Sequence, residues 1–391
     1  MLRTKLQKQN DFTGQDFYVG LDVHKHTWYV TVRSLGIEVG HFSQAPDAAA
    51  LSRYLQVNFP GGQYHSAYEA GFCGTGAHEQ LCKLGVNNII VHAADVPWTD
   101  KQKKNKTELH DSRAIAYHLE LGDLPAIRVL RQEQQELRSL FRLRESKIKD
   151  ATRANNRLKS FLMYYGITVP EEVSKSGELT GRALAWLDVE LRSTAGTIAL
   201  QQHIAELKYQ RRQLFELTKT LRAQVVAYDG QTYPNLITIP GIGSITAMGM
   251  IAEPDDFRRF GDPDEYASYL GLMPWEDSSG DEIKTKGIQP RCNKHLRPLL
   301  VEASWQSIRK SRNLFAYYSK HAGGKNGKKA IVKVARKLAM IARGVAISGQ
   351  PYREDYQKKN NEKVNAERFS LGITEQHKNK QPNYGRLSMP G

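Results

Sequence analysis

The chain is short of cysteine and has no long apolar run. Its three cysteines, Cys73, Cys82 and Cys292, form no Cys-x-x-Cys pair and cannot all be bridged. That excludes a disulfide-framed secreted module and points to a reducing compartment. No Cys/His spacing of the zinc-binding kind occurs. No uninterrupted apolar stretch approaches the roughly 18–20 residues needed to cross a bilayer. The opening MLRTKLQKQNDF lacks the apolar centre of a signal peptide, so a cytoplasmic protein with no membrane partner is expected. The glycines of Gly71-x-x-Gly74-x-Gly76 fit neither the dinucleotide fingerprint nor a Walker loop. Acidic residues are also scarce: 41 Asp and Glu stand against 56 Lys and Arg, a net charge of +15 over 391 residues. A field of that sign favours polyanions, and nucleic acid is the commonest of them.

What is present is patterned. Tyr18 to Val23 alternates as a strand, with Val19, Leu21 and Val23 on one face and Asp22 on the other. Thr27 to Val32 and Ile37 to Phe42 follow after short connections, an antiparallel meander. Pro46 opens a helix carrying Leu51, Tyr54 and Leu55. Gln63 to Glu69 reads as a fourth strand, a short helix bears Ala77, Leu81 and Leu84, and Asn88 to Val91 is a fifth strand. Glu108 to Leu121 then reads as a helix. The order β-β-β-α-β-α-β-α describes an α/β domain of the ribonuclease-H-like kind over 17–125, after a lead-in over 1–16.

Two long helical stretches follow, Gln132 to Tyr165 and Ile198 to Val226, with apolar residues at helical spacing and charge elsewhere. An antiparallel hairpin or a dimerising coiled coil would bury those stripes, and 126–230 is expected to be a helical connector. Residues 231–350 form a mainly helical C-terminal domain. It begins with Ile239-Pro240-Gly241-Ile242-Gly243, passes a loop after Gly271-Leu272-Met273-Pro274, and closes with a basic amphipathic helix from Lys328 to Ile347. The polar tail over 351–391 is expected to be disordered.

Four carboxylates stand out. In this topology Asp22 on the first strand, Glu69 closing the fourth, and Glu108 and Asp111 at the start of the last helix converge at one edge. Oxygen ligands of that kind suit a pair of Mg²⁺ ions, with Mn²⁺ as the alternative, about 4 Å apart. Taken singly, each is also an ordinary solvated acid, and Glu108-x-x-Asp111 also suits a positive helix end. Lys101, Lys103, Lys104 and Lys106 precede Glu108 and either hold phosphates or form a solvated loop. Pro-Gly-Ile-Gly at 240–243 resembles the turn of a helix-hairpin-helix, offering backbone N–H groups to a phosphate, or simply a tight helix–helix turn. Ser278-Ser279-Gly280, near Asp277, Asp281 and Glu282, reads as a polar turn whose serine needs a base brought to it in space. His24 and His26 read as surface residues.

Three of these stretches resemble the first blocks of one insertion-sequence transposase family, the IS-one-ten family, which includes the Piv-like DNA invertases. They are Gly20-Leu21-Asp22-Val23-His24-Lys25, Tyr68-Glu69-Ala70-Gly71 and Asn105 to Arg113. Later blocks follow in order: Ile239 to Gly243 with Thr246-Ala247, Phe260, Gly271-Leu272-Met273-Pro274 with Ser279-Gly280, Leu296-Arg297, and Arg336-Lys337-Leu338-Ala339 with Gly344. Each block is weak alone; their ordered conjunction from about 17 to 355 is specific. The resemblance implies a RuvC-like domain whose acidic tetrad maps to Asp22, Glu69, Glu108 and Asp111, a coiled-coil connector, and a transposase domain whose nucleophile falls on Ser279, with Ser278 one residue of slippage away. The family has Asp where this chain has Glu108, one methylene longer, and Pro290 and Cys292 interrupt the usual pattern between Lys286 and Leu296. The resemblance further implies a covalent phosphoserine link to DNA, Mg²⁺ assistance, and a structured element-encoded bridge RNA joining donor and target DNA. Nucleic-acid contacts are expected at Lys103, Lys104, Lys106, Arg113, Gly241, Gly243 and Arg297, in a nucleoid-associated homodimer or homotetramer. Two other readings stay open: a metal-only RuvC-like nuclease or junction resolvase, and a non-catalytic nucleic-acid-binding protein.

Overall fold

A computed structural model describes residues 11–97, 108–174, 178–188, 194–279, 282–323 and 327–354. Lys101, Lys103, Lys104 and Lys106, Gly280 and Asp281, most of the lead-in and nearly all of the tail lie outside the described residues. The chain divides between Arg131 and Gln132 into two compact units.

The first unit opens with a meander of β1 (Asp16–Val23), β2 (Trp28–Ser34) and β3 (Ile37–Gln44). Helix α1 (Ala48–Asn58) starts two residues after Pro46 because the Asp47 carboxylate accepts from the Ala49 and Ala50 amides. Strand β4 (Gln63–Glu69), α2 (Gly76–Lys83), β5 (Asn87–Val91) and α3 (Glu108–Leu121) follow. The sheet order is β3-β2-β1-β4-β5, with β1–β2 and β2–β3 antiparallel and β1–β4 and β4–β5 parallel. The period-2 pattern explains which face is which. Val19, Leu21, Trp28, Val30 and Val32 are buried together with Leu51, Leu55 and Leu81 on one side. Ala67, Val91, Ala114 and Ile115 are buried together on the side of α3. Each fully buried side chain of this kind contributes about 1.5–3 kcal/mol. The result is a three-layer α/β unit in which β1, β4 and β5 run parallel, the ribonuclease-H-like arrangement.

The second unit is built on two long helices, α4 (Gln132–Tyr164) and α6 (Thr194–Tyr228). Leu137 and Phe141 of α4 share a core with Leu221 and Val225 of α6, while Leu158 and Leu162 share another with Leu200 and Ile204. The helices are therefore antiparallel, and their apolar stripes are buried against each other within one chain. The far end is closed by α5 (Gly181–Leu187), a short helix absent from the sequence reading. Between the two cores Arg144 is buried and its Nε donates to Thr218 Oγ1 at 2.9 Å.

The near end enters a helical core of α7 (Thr232–Ile237), α8 (Ser244–Ala252), α9 (Pro263–Leu270), α10 (Leu296–Lys310), α11 (Arg312–Ala322) and α12 (Gly327–Ser348). Helix α8 is buried from Thr246 to Ala252, and at Gly249 a Cβ would lie 2.7 Å from the Phe141 ring, so the missing side chain lets α4 cross it. This unit is not wholly helical. The loop expected after Pro274 is instead β6 (Pro274–Ser279), paired antiparallel with β7 (Glu282–Ile288). The two strands satisfy each other's backbone, so an alternating apolar face is not required for them to form.

Candidate active site

The carboxylates are placed by strand register. Strands β1 and β4 pair in parallel from Asp16↔Gln63 to Leu21↔Tyr68. One step further, Asp22 and Glu69 stand side by side at the same end of the sheet, strands there being about 4.8 Å apart. Leu21 and Tyr68 are fully buried on the core side, so their successors face the opposite side, where α3 lies. Gly20 makes that approach feasible: a Cβ there would fall 2.0 Å from the Ser112 carbonyl oxygen and 2.4 Å from the Ala116 nitrogen.

Helix α3 runs antiparallel to β1. Its last turn is tied to the start of the sheet, where Arg33, opposite Tyr18, donates to Glu120 at 2.7 Å, and Glu120 also accepts from the Gly36 amide at 2.7 Å. Its middle rests on Gly20. Its first turn, with Glu108 and Asp111, is therefore at the Asp22 end. Side chains fix this placement. The buried Ser112 hydroxyl lies 2.9 Å from the Thr31 hydroxyl, which lies 2.9 Å from His41 Nδ1. Burial, with Arg113 nearby, lowers the His41 pKa. Arg113 makes two bonds to Glu38, at 2.9 and 3.0 Å, and through them holds that carboxyl below its ordinary pKa.

Asp22 is 19% exposed, and its Oδ2 lies 3.1 Å from His24 Nε2. His24, read from sequence as a plain surface residue, is thus a direct neighbour of the first carboxylate; its position two residues on, just past the end of β1, was the available signal. The glycine-rich loop after Glu69 is shaped by Tyr68, whose buried hydroxyl donates to the Gly74 carbonyl (2.9 Å) and accepts from the His78 amide (3.2 Å). Burial raises the Tyr68 pKa, so the hydroxyl stays protonated for that role. Asp22 and Glu69, side by side at one end of the sheet, offer carboxylate oxygens, the donor type that suits a hard divalent cation. Among the described residues, no three His, Cys, Asp or Glu side chains already close to metal-binding distance.

In the second unit Ser279 ends β6, opposite Glu282, and Ser278 pairs with Ile283. Ser278 and Ser279 of the polar turn expected from the sequence are thus paired residues at the end of β6, while Gly280 and Asp281 lie outside the described residues. The base of the β6–β7 pair is clamped: the Gln289 amide donates to the Met273 carbonyl (3.1 Å), and Arg297 Nη1 donates to the carbonyls of Gln289 (2.8 Å) and Gly271 (3.3 Å). Behind it is a network that sequence spacing did not reveal. Glu253, 0% exposed, accepts two bonds from Arg142, both 2.8 Å, and one from Asn293 at 2.9 Å. Burial by itself would raise its pKa; Arg142, Asn293 and Arg138 more than offset that and hold it low. Asn293 also donates to the Tyr269 hydroxyl (2.7 Å) and caps α10 through the His295 and Leu296 amides. Gly241, at φ +92°, is packed on α10, where a Cβ would fall 2.1 Å from Ser307 Oγ. Gly243 precedes α8 with open space at its Cβ position.

A five-stranded sheet of this order, with Asp22 and Glu69 at one end, is the arrangement of a ribonuclease-H-like domain. Comparison with known proteins narrows it. Residues 19–167 match a DEDD transposase family described as Transposase, and residues 233–319 match the Transposase IS116/IS110/IS902 family. The chain is 28% identical over 296 residues to the putative transposase y4qE of Sinorhizobium fredii, covering 74% of this chain and 72% of that one. It is 26% identical over 203 residues to the transposase for insertion sequence element IS1328 of Yersinia enterocolitica, covering 52% of this chain and 59% of the relative. It is also 26% identical over 211 residues to that for IS1111A of Coxiella burnetii, covering 54% and 57%. The latter two alignments span little more than half the length of those relatives. The two family matches, in order along one chain, make it similar to insertion-sequence transposases of the IS116/IS110/IS902 kind over both of its units. Among the described residues no helix is long and apolar enough to cross a membrane.

Proposed function

We propose that the protein cuts and rejoins donor and target DNA by phosphoryl transfer, with Ser279 as nucleophile and the carboxylates of the sheet edge as the metal site. The observation that carries this reading is the β1–β4 register, which sets Asp22 beside Glu69 at the end of the sheet where α3 begins. Asp22, Glu69, Glu108 and Asp111 would hold Mg²⁺, or Mn²⁺. When bound there, the ion supplies neutralisation of phosphate charge and polarisation of an oxygen. Glu108 reaches one methylene further than the usual aspartate. The serine oxygen forms a bond to phosphorus, the bond from phosphorus to a deoxyribose oxygen breaks, the serine proton passes to a base, and the departing oxygen takes up a proton. Reversal of that exchange onto a second strand rejoins the DNA.

Lys103, Lys104, Lys106, Arg113, Gly241, Gly243 and Arg297 are proposed contacts to nucleic acid. A structured element-encoded RNA is the proposed guide. A homodimer or homotetramer is the proposed assembly, supported by apolar side chains left exposed on the long helices: Met163 80%, Tyr164 83% and Ile198 56%.

The test is to incubate purified protein with Mg²⁺, the candidate RNA and labelled donor and target DNA, denature, and look for DNA attached to protein. An adduct lost in Ser279→Ala, with Ser278→Ala retaining it, is the expected result. Cleaved ends without an adduct, dependent on Asp22 and indifferent to Ser279, would establish a metal-only nuclease instead. No cutting or joining at all would leave a nucleic-acid-binding protein.

A further inference from the structure

Helix α12 carries its charge against its own dipole. Its first turn contains Lys328 and Lys329 and no acidic residue, although that end of a helix bears partial positive charge and favours anions. Lys329, Lys333 and Lys337 recur at four-residue intervals, one stripe about 12 Å long, and like charges at that spacing repel. The neighbouring helix adds to the field rather than balancing it. His321, from the last turn of α11 beside Lys320, places Nδ1 3.4 Å from Lys333 Nζ. Desolvation and then Lys333, Lys320 and Lys337 lower its pKa, and burial lowers that of Lys337. Arg336 is paired with Asp264. Among the described residues none of Lys320, Lys328, Lys329, Lys333 and Lys337 has a carboxylate at ion-pair distance. The start of α12 is held against α11, where a Cβ on Gly327 would lie 2.8 Å from the Tyr318 hydroxyl. A packed helix that concentrates unopposed cations at its positive end is stabilised by an anion brought from outside.

We propose that this edge, Lys328, Lys329 and Lys333 with Lys320 beside them, grips the phosphate backbone of duplex DNA without regard to sequence. The stripe follows a line of charge, as a phosphate backbone does. Tyr317, an aromatic ring beside it, is covered by Lys337 Nζ at 4.4 Å and by His321 at 4.6 Å, whereas unpaired strands are held by stacking on open rings. The proposal rests on the reading of the chain as a DNA-joining enzyme, and it names a surface which that reading did not include.

The test is a salt series of binding to a labelled duplex, with full-length protein in EDTA so that no chemistry is needed. Lys328→Gln/Lys329→Gln/Lys333→Gln is expected to weaken binding about tenfold or more for every duplex sequence, and to reduce the slope of log K against log salt by about three. Lys333→Gln alone reduces it by about one. The triple variant should unfold at no lower temperature than the native chain, because repulsion is relieved; that separates lost contact from lost fold. An equal loss in Lys149→Gln/Lys159→Gln/Lys219→Gln, exposed lysines of α4 and α6, would reduce the effect to bulk charge and overturn the proposal. So would dependence on these lysines for single-stranded RNA but not for duplex DNA. A native chain that binds no duplex even at low salt sinks the parent reading as well, whereas native binding with an unchanged slope in the triple variant sinks this one alone.

Discussion

The two units treat carboxylates in opposite ways. In the helical unit Glu253 is fully enclosed, and Arg142, Arg138 and Asn293 surround it. In the sheet unit Asp22 stays 19% exposed at the end of its strand, with one oxygen turned to His24. Both are acids inside a folded unit, yet one is enclosed where helices meet and the other is partly open at a strand end. The first is enclosed by its partners; the second lies partly open at a sheet edge, beside a second acid on the next strand.

The largest expected effect breaks this contrast from the helical side. Glu253→Gln leaves two arginines without their counter-charge and should cost about 3–5 kcal/mol in denaturant unfolding. Asp22→Asn should change stability by less than about 1 kcal/mol while abolishing DNA cleavage; a stability loss at Asp22 equal to that at Glu253 would erase the distinction. Next comes Gly20→Ala, which puts a methyl group into the backbone of α3. A cost of about 1–3 kcal/mol is expected, with amide exchange accelerated in α3 ahead of the sheet core.

Acid sharpens the comparison further. Glu253 has a lowered pKa in the fold, so its contribution is complete above the ordinary glutamate value of 4.5 and is lost as pH falls through the lower folded value. Unfolding midpoints of the native chain should fall across that acid window by more than those of Glu253→Gln. Parallel curves would show that the ion network contributes nothing. The smallest effect belongs to Ser112→Ala, which removes one bond of the Thr31–Ser112 pair and should cost about 1 kcal/mol, read as a shift in thermal midpoint.

Much of the sheet unit was legible in the sequence. The bounds of β4 and α3 match the sequence reading, α3 because it keeps an apolar side at helical spacing. The order of elements then implied that Asp22, Glu69, Glu108 and Asp111 share an end, and the strand register places Asp22 beside Glu69. The hairpin β6–β7 was not legible: Glu276, Asp277, Ser278 and Ser279 have low strand propensity, and the pairing is carried by backbone bonds. The Glu253 network was equally hidden. Arg142 and Asn293 lie 111 and 40 residues away in sequence, and no local spacing rule spans such gaps. Gly241 matched a recurring turn, but the match could not reveal that Ser307 occupies the space a side chain would need.

The long helix pair has a mechanical consequence. At 33 residues, α4 is about 50 Å long, rooted at one end in the helical core and at the other in a small core of its own. With Arg144 and Thr218 pinning the two rods between those cores, sliding of one past the other is resisted and tilting at the root is the softer motion. Each degree of such tilt moves the far tip by about 0.9 Å over that length, so the pair is a lever, turning a small repacking around Phe141 and Gly249 into a displacement the size of an atom or more.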